Sequence, residues 1–381
     1  MLEISFDLAN LSLKEMEDLE EMKIIILERY NANDPVTWFN RRNIFILYLF
    51  FRLLLNFSDL NETHMSNFPS WSREYAQERA KAGPRPGRLL RQAVYKNNSE
   101  IFRAGGYATE SGSQVAIPAD DPMLDGTKVY AEAFDVYDVP VCTDAVSTDV
   151  VNLDCLLVAK ELLAEGYNPA VMNLADAYTA CGWYKRGSRA QEEALCRSTT
   201  LSRSLFQFFK PASGKKDRYA VEANIRLKDI AYPMDMNFGG IYSPGVTVFR
   251  NAADLYALME EADTYKVGVI SVAALDFNEK HGKNLEYKAE DGGFTPEGLE
   301  IMRNKIRTIY RLALSNGHDS LVAGAFGCGA FRLPCDVVAS LFNEILSEDE
   351  FKNKFRKITF AILDREGENG KFSPFYKMFK K

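Results

Sequence analysis

Between residues 128 and 363 the sequence alternates between short apolar runs and longer segments in which apolar residues recur at helical spacing. This alternation limits the possible folds more than any other feature, because strands separated by helices pack as a layered sheet. The runs that we interpret as strands are 128–134, NPAVMNLADAY, SPGVTVF, YKVGVISVAAL, DSLVAGAF and FRKITFAILD. We therefore predict an α/β fold with a mixed central sheet and helices on both of its faces.

The predicted helices of this region have recognisable ends. Gly166 ends the segment NLDCLLVAKELLAEGY, while Asp149 and Asp154 precede or enter the helix VVNLDCLLVAK, where negative charge suits an N-terminus. The segment TPEGLEIMRNKIRTIYRLALSNG opens with Thr295 at the N-cap position and closes near Gly317. A further helix is predicted over PCDVVASLFNEILS, and a second apolar stretch precedes the first helix at Val139–Val141.

Ahead of this region the sequence predicts a separate N-terminal part. Residues 1–64 are interpreted as a helical extension, and the main domain is placed at 65–381, with 65–126 as its helical accessory part. The most apolar run, Asn43–Phe57, is fifteen residues long and contains Arg52. Since a membrane span needs roughly 18 apolar residues, we interpret this run as a buried or partner-facing helix, with a membrane anchor as the alternative.

Loops that follow the predicted strands are the first candidates for a site, because ligands of such sheets bind beyond the carboxyl ends of strands. The loop GAFGCGAFR, Gly324 to Arg332, follows the strand DSLVAGAF. Its glycines permit positive φ and close approach of backbone amides to an anion, and the next helix adds its positive end. An ordinary glycine-rich turn is the alternative, since the loop matches neither the P-loop nor the dinucleotide-binding motif.

A second loop, NLADAYTACGWYKRGSRAQEEALCR, runs from Asn173 to Arg197 and leads into the adjacent Glu192 and Glu193. Paired glutamates are commonly a solvated turn of a helix. Because consecutive helical residues point about 100° apart, we expect the two carboxylates to face different spots. One would reach a sugar hydroxyl and the other a reacting bond, as at glycosidic sites.

In their order these motifs resemble the bacterial-type poly(ADP-ribose) glycohydrolase family of macrodomain folds, whose signature is a GGG loop, a short spacer and then QEE. The similarity extends to QEEALCRSTTLSRSL, IYSPGVTVFR, VISVAA, NGHDSLVAGAFGCGAFR and FAILD, and covers about residues Trp71 to Phe379. It implies a macrodomain-like, three-layer α/β/α arrangement. It also implies a hydrolase that releases ADP-ribose without a cofactor.

The resemblance implies specific roles for residues of both loops. Glu193 corresponds to the acid that protonates the glycosidic oxygen while water attacks the anomeric carbon, and Glu192 to its partner that orders the distal ribose. Such an acid must hold its proton near neutral pH, which requires desolvation or a nearby negative charge. Asn173 corresponds to the asparagine that opens the signature.

Further ADP-ribose contacts are implied for Thr179, Cys181, Gly182, Trp183, Gln191, Gly324, Gly327, Cys328, Gly329, Ala330 and Phe331. Within this set, 324–329 corresponds to the diphosphate loop and Phe331 to the aromatic residue that packs on the sugar.

The chain departs from the family at the GGG loop. Aligned without gaps, the three glycines fall on Cys181, Gly182 and Trp183, so only the middle one remains. The loop keeps its path, with Trp183 capping the ribose or recognising an attached protein, or it bends aside and leaves a wider pocket. Alternatively, the pocket is partly blocked and ADP-ribose is bound without hydrolysis. A thiol nucleophile at Cys181 is a further alternative, although no histidine lies near it in the sequence.

We therefore predict an ADP-ribosyl glycohydrolase acting on poly(ADP-ribose) or ADP-ribosylated protein, with a non-catalytic ADP-ribose reader or a partner-binding scaffold as alternatives. Expected partners are ADP-ribose and ADP-ribosylated protein or polymer. The net charge of -7 gives no global attraction to nucleic acid, and no membrane is expected. Only three histidines occur, so no metal site is predicted, and six scattered cysteines favour reduced thiols in a cytoplasmic protein.

Overall fold

A computed structural model describes residues 86–380 except 110, 137–138, 211–217 and 365–369, together with Tyr75, Glu78, Arg79 and Lys81. The predicted extension 1–64, including the apolar run Asn43–Phe57, lies outside the described residues. The chain divides into two units, Met1–Met65 and Ser66–Lys381, and all described residues belong to the second.

The strands of the described region are β1 Gly106–Ala108, β2 Gln114–Ala116, β3 Lys128–Tyr130, β4 Ser147–Val151, β5 Pro169–Ala175, β6 Gly240–Val248, β7 Arg250–Asn251, β8 Ala257–Leu258, β9 Tyr265–Ala273, β10 Ser320–Ala323 and β11 Lys357–Ala361. Seven of them form the central sheet in the order β3-β6-β9-β5-β10-β11-β4. From β9 to β4 all neighbours are parallel, whereas β6 is antiparallel to both β3 and β9. The carboxyl ends of five parallel strands therefore meet at one edge of a mixed sheet.

The α-helices of the described region are α1 Arg88–Ala104, α2 Pro122–Gly126, α3 Cys155–Ala164, α4 Gln191–Ser198, α5 Leu201–Phe206, α6 Arg218–Ala223, α7 Pro296–Ser315, α8 Cys335–Leu346 and α9 Phe372–Phe379. None of these helices combines the length and the apolar character that crossing a bilayer requires.

Side chains of the central strands alternate between two buried clusters on opposite faces of the sheet. In β5, Ala170 and Met172 pack in the cluster that includes residues of α7, α8 and α9. Val171 and Ala175 pack in the cluster that includes residues of α3, α4 and α5. Since successive residues of a strand point to opposite faces, this alternation confirms the predicted arrangement of helices on both faces of a mixed sheet.

Two local predictions differ from the structure. The strand predicted at 128–134 ends at Tyr130. Asp149, predicted at a helix start, lies within β4, which pairs only with β11 at the edge of the sheet. An edge strand carries fewer apolar residues, and β4 was not recognised as a strand because it begins with the polar residues Ser-Thr-Asp. The helix begins at Cys155 instead, and the Asp154 carboxylate caps it by accepting the amide of Leu156 at 2.9 Å.

The accessory part of the domain holds a small sheet as well as helices. After α1 the chain turns at Gly105, whose φ is +81°, and forms the antiparallel pair β1–β2. Tyr107 and Val115 of this pair are buried with Phe102 of α1 and Phe249. The hairpin was not predicted, because its strands are only three residues long.

Candidate active site

The first turn of α4 is bound to the strand that precedes it in the chain. Gln191 accepts the amide of Leu174 at 2.9 Å and donates to the carbonyl of Met172 at 2.7 Å. Glu192 Oε2 accepts the amide of Asp176 at 2.8 Å. The QEE sequence therefore fixes the start of α4 against the carboxyl end of β5.

The two glutamates converge on one backbone position, Gly182. A β-carbon built on Gly182 would lie 2.7 Å from Glu193 Oε1 and 3.2 Å from Glu192 Oε2. The expectation that the carboxylates face different spots is therefore wrong at their tips. Both side chains leave the first helical turn and reach back over the chain, since Glu193 Oε1 also accepts the amide of Trp183 at 2.9 Å. Their flexible stems cancel the 100° difference in direction.

Gly182 is the position of the loop that can carry no side chain. Its φ is +52°, which disfavours L-residues, and both carboxylates fill the space that a β-carbon would take. The one glycine that remains of the three is therefore the one that the geometry requires.

Both glutamates are buried, with exposed fractions of 3% for Glu192 and 4% for Glu193. Burial, and then the charge of Glu193, raise the pKa of Glu192 well above its usual range. Asn173 donates to Ser271 at 2.9 Å and, at 3.4 Å, to Glu192 Oε1. Burial and the neighbouring carboxylate therefore favour the protonated form of Glu192.

One carboxylate oxygen of the two glutamates lacks a hydrogen-bond partner among the described residues. Glu193 Oε2 is inaccessible to solvent and has no hydrogen-bond partner among the described residues, and the same holds for Asn173 Oδ1 and the hydroxyl of Tyr232. Buried polar atoms are usually paired, so each of these three atoms is an exception among the described residues. Tyr232 was not predicted as a site residue, but its charge interaction with Glu192 shows that its phenol lies near the pair.

The two residues that replace family glycines point in opposite directions. Cys181 is fully buried with a φ of +60°, and burial together with a hydrogen bond to Cys196 raises its thiol pKa well above the usual range. Because a thiolate is the reactive form of cysteine, this thiol is not set up as a nucleophile. Trp183 is 53% exposed, so its ring swings outward. Neither added side chain diverts the turn from the glutamates.

Helix α1 holds the far end of the same loop. Arg88 Nε donates to the carbonyl of Arg186 at 3.0 Å, and Arg91 Nε donates to the carbonyl of Gly187 at 2.7 Å. From α4, Arg197 Nη1 donates to the carbonyl of Ser188 at 2.7 Å. The loop is therefore fixed at one end by carboxylates and at the other by guanidinium groups.

The glycine-rich loop follows β10, the direct neighbour of β5. A β-carbon built on Gly324 would lie 3.6 Å from Leu174 Cδ1, so the loop starts against the residue that follows Asn173. Gly327 has a φ of +71° and is enclosed by Leu333 and Ala274, whereas the exposed Gly329 has no neighbour within 4 Å of such a carbon. Cys328 is buried under the loop, as expected from its small side chain.

A third loop lies after β9 and was not among the predicted site segments. Asp276 Oδ2 lies 2.7 Å from His281 Nδ1, and Asn278 Nδ2 donates to the carbonyl of Ala330 at 2.9 Å. The amide of Phe277 donates to the carbonyl of Phe331 at 2.8 Å. This loop therefore supports the end of the glycine-rich loop. The polar sequence FNEKH directly after a predicted strand was the signal that could have found it.

The structure thus places the predicted site residues in two groups at one edge of the sheet. Asn173, Thr179, Cys181–Trp183 and Gln191–Glu193 surround the end of β5, and Gly324 with Gly327–Phe331 follows the end of β10. Phe331 lies on the outer side, with its ring 6.5 Å from that of His281. Within the described ranges no three His, Cys, Asp or Glu side chains are arranged to hold a metal ion.

This chain is similar to one family model and to several solved structures. Residues 96–251 match the family model described as microbial-type PARG, catalytic domain. A search of curated proteins found no match.

Among solved structures, poly(ADP-ribose) glycohydrolase from Thermomonospora curvata is similar at 24% identity, with a TM-score of 0.58 over 76% of this chain and 99% of that one. The structure of that enzyme bound to the inhibitor ADP-HPD gives 26% identity, a TM-score of 0.58 and the same coverage. Poly(ADP-ribose) glycohydrolase from Deinococcus radiodurans in complex with ADP-ribose gives 24% identity and a TM-score of 0.51 over 70% and 98% of the chains.

Proposed function

We propose, because residues 96–251 match the family model described as microbial-type PARG, catalytic domain, that this chain is an ADP-ribosyl glycohydrolase with Glu193 as its acid. Its substrate is poly(ADP-ribose) or ADP-ribosylated protein, and its product is free ADP-ribose. One observation carries the proposal. Glu193 Oε2 is buried and unpartnered beside a glycine turn, where a glycosidic oxygen would complete its hydrogen bonding.

The neighbouring groups divide the work of such a reaction. Glu193 gives its proton to the leaving oxygen, and water adds to the anomeric carbon of an oxocarbenium-like transition state. Glu192 orders the hydroxyls of the distal ribose, and Asn173, hydrogen-bonded to both Glu192 and Ser271, holds Glu192 in place. Burial and the neighbouring Glu193 carboxylate raise the pKa of Glu192, which favours the protonated form of that residue.

The remaining predicted contacts belong to the same proposal. The amides of 327–329 and the N-terminus of α8 accept the diphosphate, and Phe331 packs on the sugar. Gly182 lets the backbone pass directly over the two carboxylates. In this proposal the distal ribose lies against the same two carboxylates.

Replacement of the acid tests the proposal. We expect Glu193→Gln to keep ADP-ribose binding, measured by calorimetry, and to lose about 10²–10⁴-fold in turnover, because the amide cannot deliver a proton. Glu297→Gln is the matched control, since it alters an exposed first-turn glutamate of another helix, α7. Turnover should be measured as ADP-ribose released from polymer and from aspartate/glutamate-, serine- and arginine-linked substrates.

Two results would contradict the proposal. Full turnover by Glu193→Gln would exclude Glu193 as the acid. Binding of ADP-ribose by the wild type without release from any linkage would instead identify a non-catalytic reader.

A further inference from the structure

The loop over the glutamates carries two exposed aromatic rings, each covered by a cation. The guanidinium of Arg186 lies 4.1 Å from the ring centroid of Trp183, and the Lys283 ammonium lies 4.2 Å from that of Tyr178. Trp183 is 53% exposed and Tyr178 is 44% exposed. We call these four side chains the aromatic rim. Large exposed rings held in place by stacked cations mark a binding surface.

The rim lies in a locally positive part of an acidic chain. Arg186 and Lys283, like the neighbouring Arg189, have no carboxylate partner within the described part of the chain. Arg88 lies beside Arg186, because its Nε donates to the Arg186 carbonyl at 3.0 Å. Against a net charge of -7, the positive charges of Arg186, Arg189 and Lys283 fit an anionic ligand.

The position of Trp183 relative to the acid decides which part of a substrate the rim meets. The Trp183 amide donates to Glu193 Oε1 at 2.9 Å, so the indole is attached to a backbone position that contacts the proposed acid directly. In the proposed function the distal ribose is held against Glu192, on the buried side of the glycosidic bond. The exposed side, where the indole points, therefore belongs to the leaving group.

We infer that the aromatic rim is a subsite for the ADP-ribose unit next to the one that is released, which makes the polymer the preferred substrate. The adenine of that unit stacks on the open face of Trp183, and its diphosphate pairs with Arg186 and Arg189. An acidic peptide would use the guanidinium groups alone, whereas an ADP-ribose unit uses both the ring and the charges. The inference rests on the proposed function.

The test compares two substrates that differ at the leaving group. One is a two-unit ADP-ribose oligomer and the other is a mono-ADP-ribosylated peptide, each assayed with the full-length protein. We expect Trp183→Ala and Arg186→Ala each to lower the ratio of kcat/KM, oligomer over peptide, about ten-fold. Trp183→Phe should retain most of the ratio. The control is Tyr376→Ala, another exposed ring, which is 40% exposed and has the Lys380 ammonium 5.1 Å from its centroid.

A binding measurement without turnover separates this inference from the proposed function. In the Glu193→Gln background, the second ADP-ribose unit should tighten binding about ten-fold over ADP-ribose alone, and Trp183→Ala should abolish the gain. An unchanged ratio, or equal losses on both substrates, would overturn the subsite. A loss confined to the peptide would assign the rim to acidic protein segments instead. If the wild type released ADP-ribose from neither substrate, the proposed function would fail, and the binding comparison would still decide about the subsite.

Discussion

The contact between the turn at Gly182 and the two glutamates depends on one backbone conformation. A side chain at this position meets both glutamates, at 2.7 Å from Glu193 Oε1 and 3.2 Å from Glu192 Oε2. The neighbouring Cys181 also has a positive φ, of +60°, but its side chain points into the core. The turn therefore tolerates a strained backbone where a side chain has room, and requires glycine only where it has none.

Gly182→Ala separates these two requirements. We expect kcat/KM for ADP-ribose release to fall at least ten-fold, because the methyl group displaces the Glu193 carboxylate. Replacing a glycine of positive φ costs about 1 kcal/mol by itself, and we expect the free energy of unfolding to fall by more than this. Gly166→Ala is the matched control, since Gly166 has a φ of +80° and open space around a built β-carbon. Equal effects of the two changes on stability and activity would show that the contact with the glutamates is unimportant.

For individual residues, the sequence predicted which side chains lie at the site better than it predicted the contacts between those side chains. Glu192, Glu193 and Asn173 were predicted because their family motif survives, and the structure places all three at the end of β5. The convergence of the two carboxylates was not predictable, because helical direction says nothing about how long side chains bend. Tyr232 carries no motif, and only the folded chain brings its phenol near Glu192. His281 lies in a polar loop after a predicted strand, which was overlooked.

Among the elements, α1 has a role that its sequence does not reveal. Arg88 and Arg91 of this helix bind the carbonyls of Arg186 and Gly187. The accessory part of the domain therefore holds the loop that covers the glutamates.

Arg91→Ala tests this anchoring. We expect kcat/KM to fall several-fold at temperatures where the variant is fully folded, because a freed loop no longer keeps the Trp183 amide on Glu193. The free energy of unfolding should fall by about 1–3 kcal/mol, the range for hydrogen bonds to charged groups. Arg103→Ala, in the same helix, removes a guanidinium whose hydrogen bond among the described residues goes to the Ser99 carbonyl of that helix, and should leave turnover unchanged. Matching losses in the two variants would refute the anchoring role.

Strands and helices were predictable where their patterns were strong. The buried strands β5, β9 and β10 and the capped helix α7 appear at the predicted places, because their apolar runs and caps have few other interpretations. The edge strand β4 and the hairpin β1–β2 were missed, because a short or half-exposed strand has no distinctive pattern.

For the molecule as a whole, the buried carboxyl pair links the site to stability. Burial raises the pKa of Glu192 in the folded state above the usual value of about 4.3 for a glutamate in an unfolded chain. Between these two pKa values the folded state binds more protons than the unfolded state, so the free energy of unfolding decreases as the pH rises. The site therefore makes the fold less stable at neutral pH than at mildly acidic pH.

Glu192→Gln removes this dependence. We expect the wild type to lose stability relative to the variant as the pH rises from about 4.3 towards neutrality, with the difference growing until Glu192 is fully ionised. Denaturant unfolding at a series of pH values measures the free energy of unfolding for both proteins. Parallel curves would show that Glu192 has the same proton affinity in the folded and unfolded states.

The turn at 181–183 divides two tasks between adjacent residues. Position 182 is committed to the acid and cannot vary, whereas the side chain at 183 faces outward and can be exchanged without disturbing the turn. Under the proposed function, a chain built in this way can change which leaving group it prefers at position 183 without altering the turn that meets Glu193. Position 183 is therefore where we expect substitutions to change the leaving-group preference of the proposed enzyme.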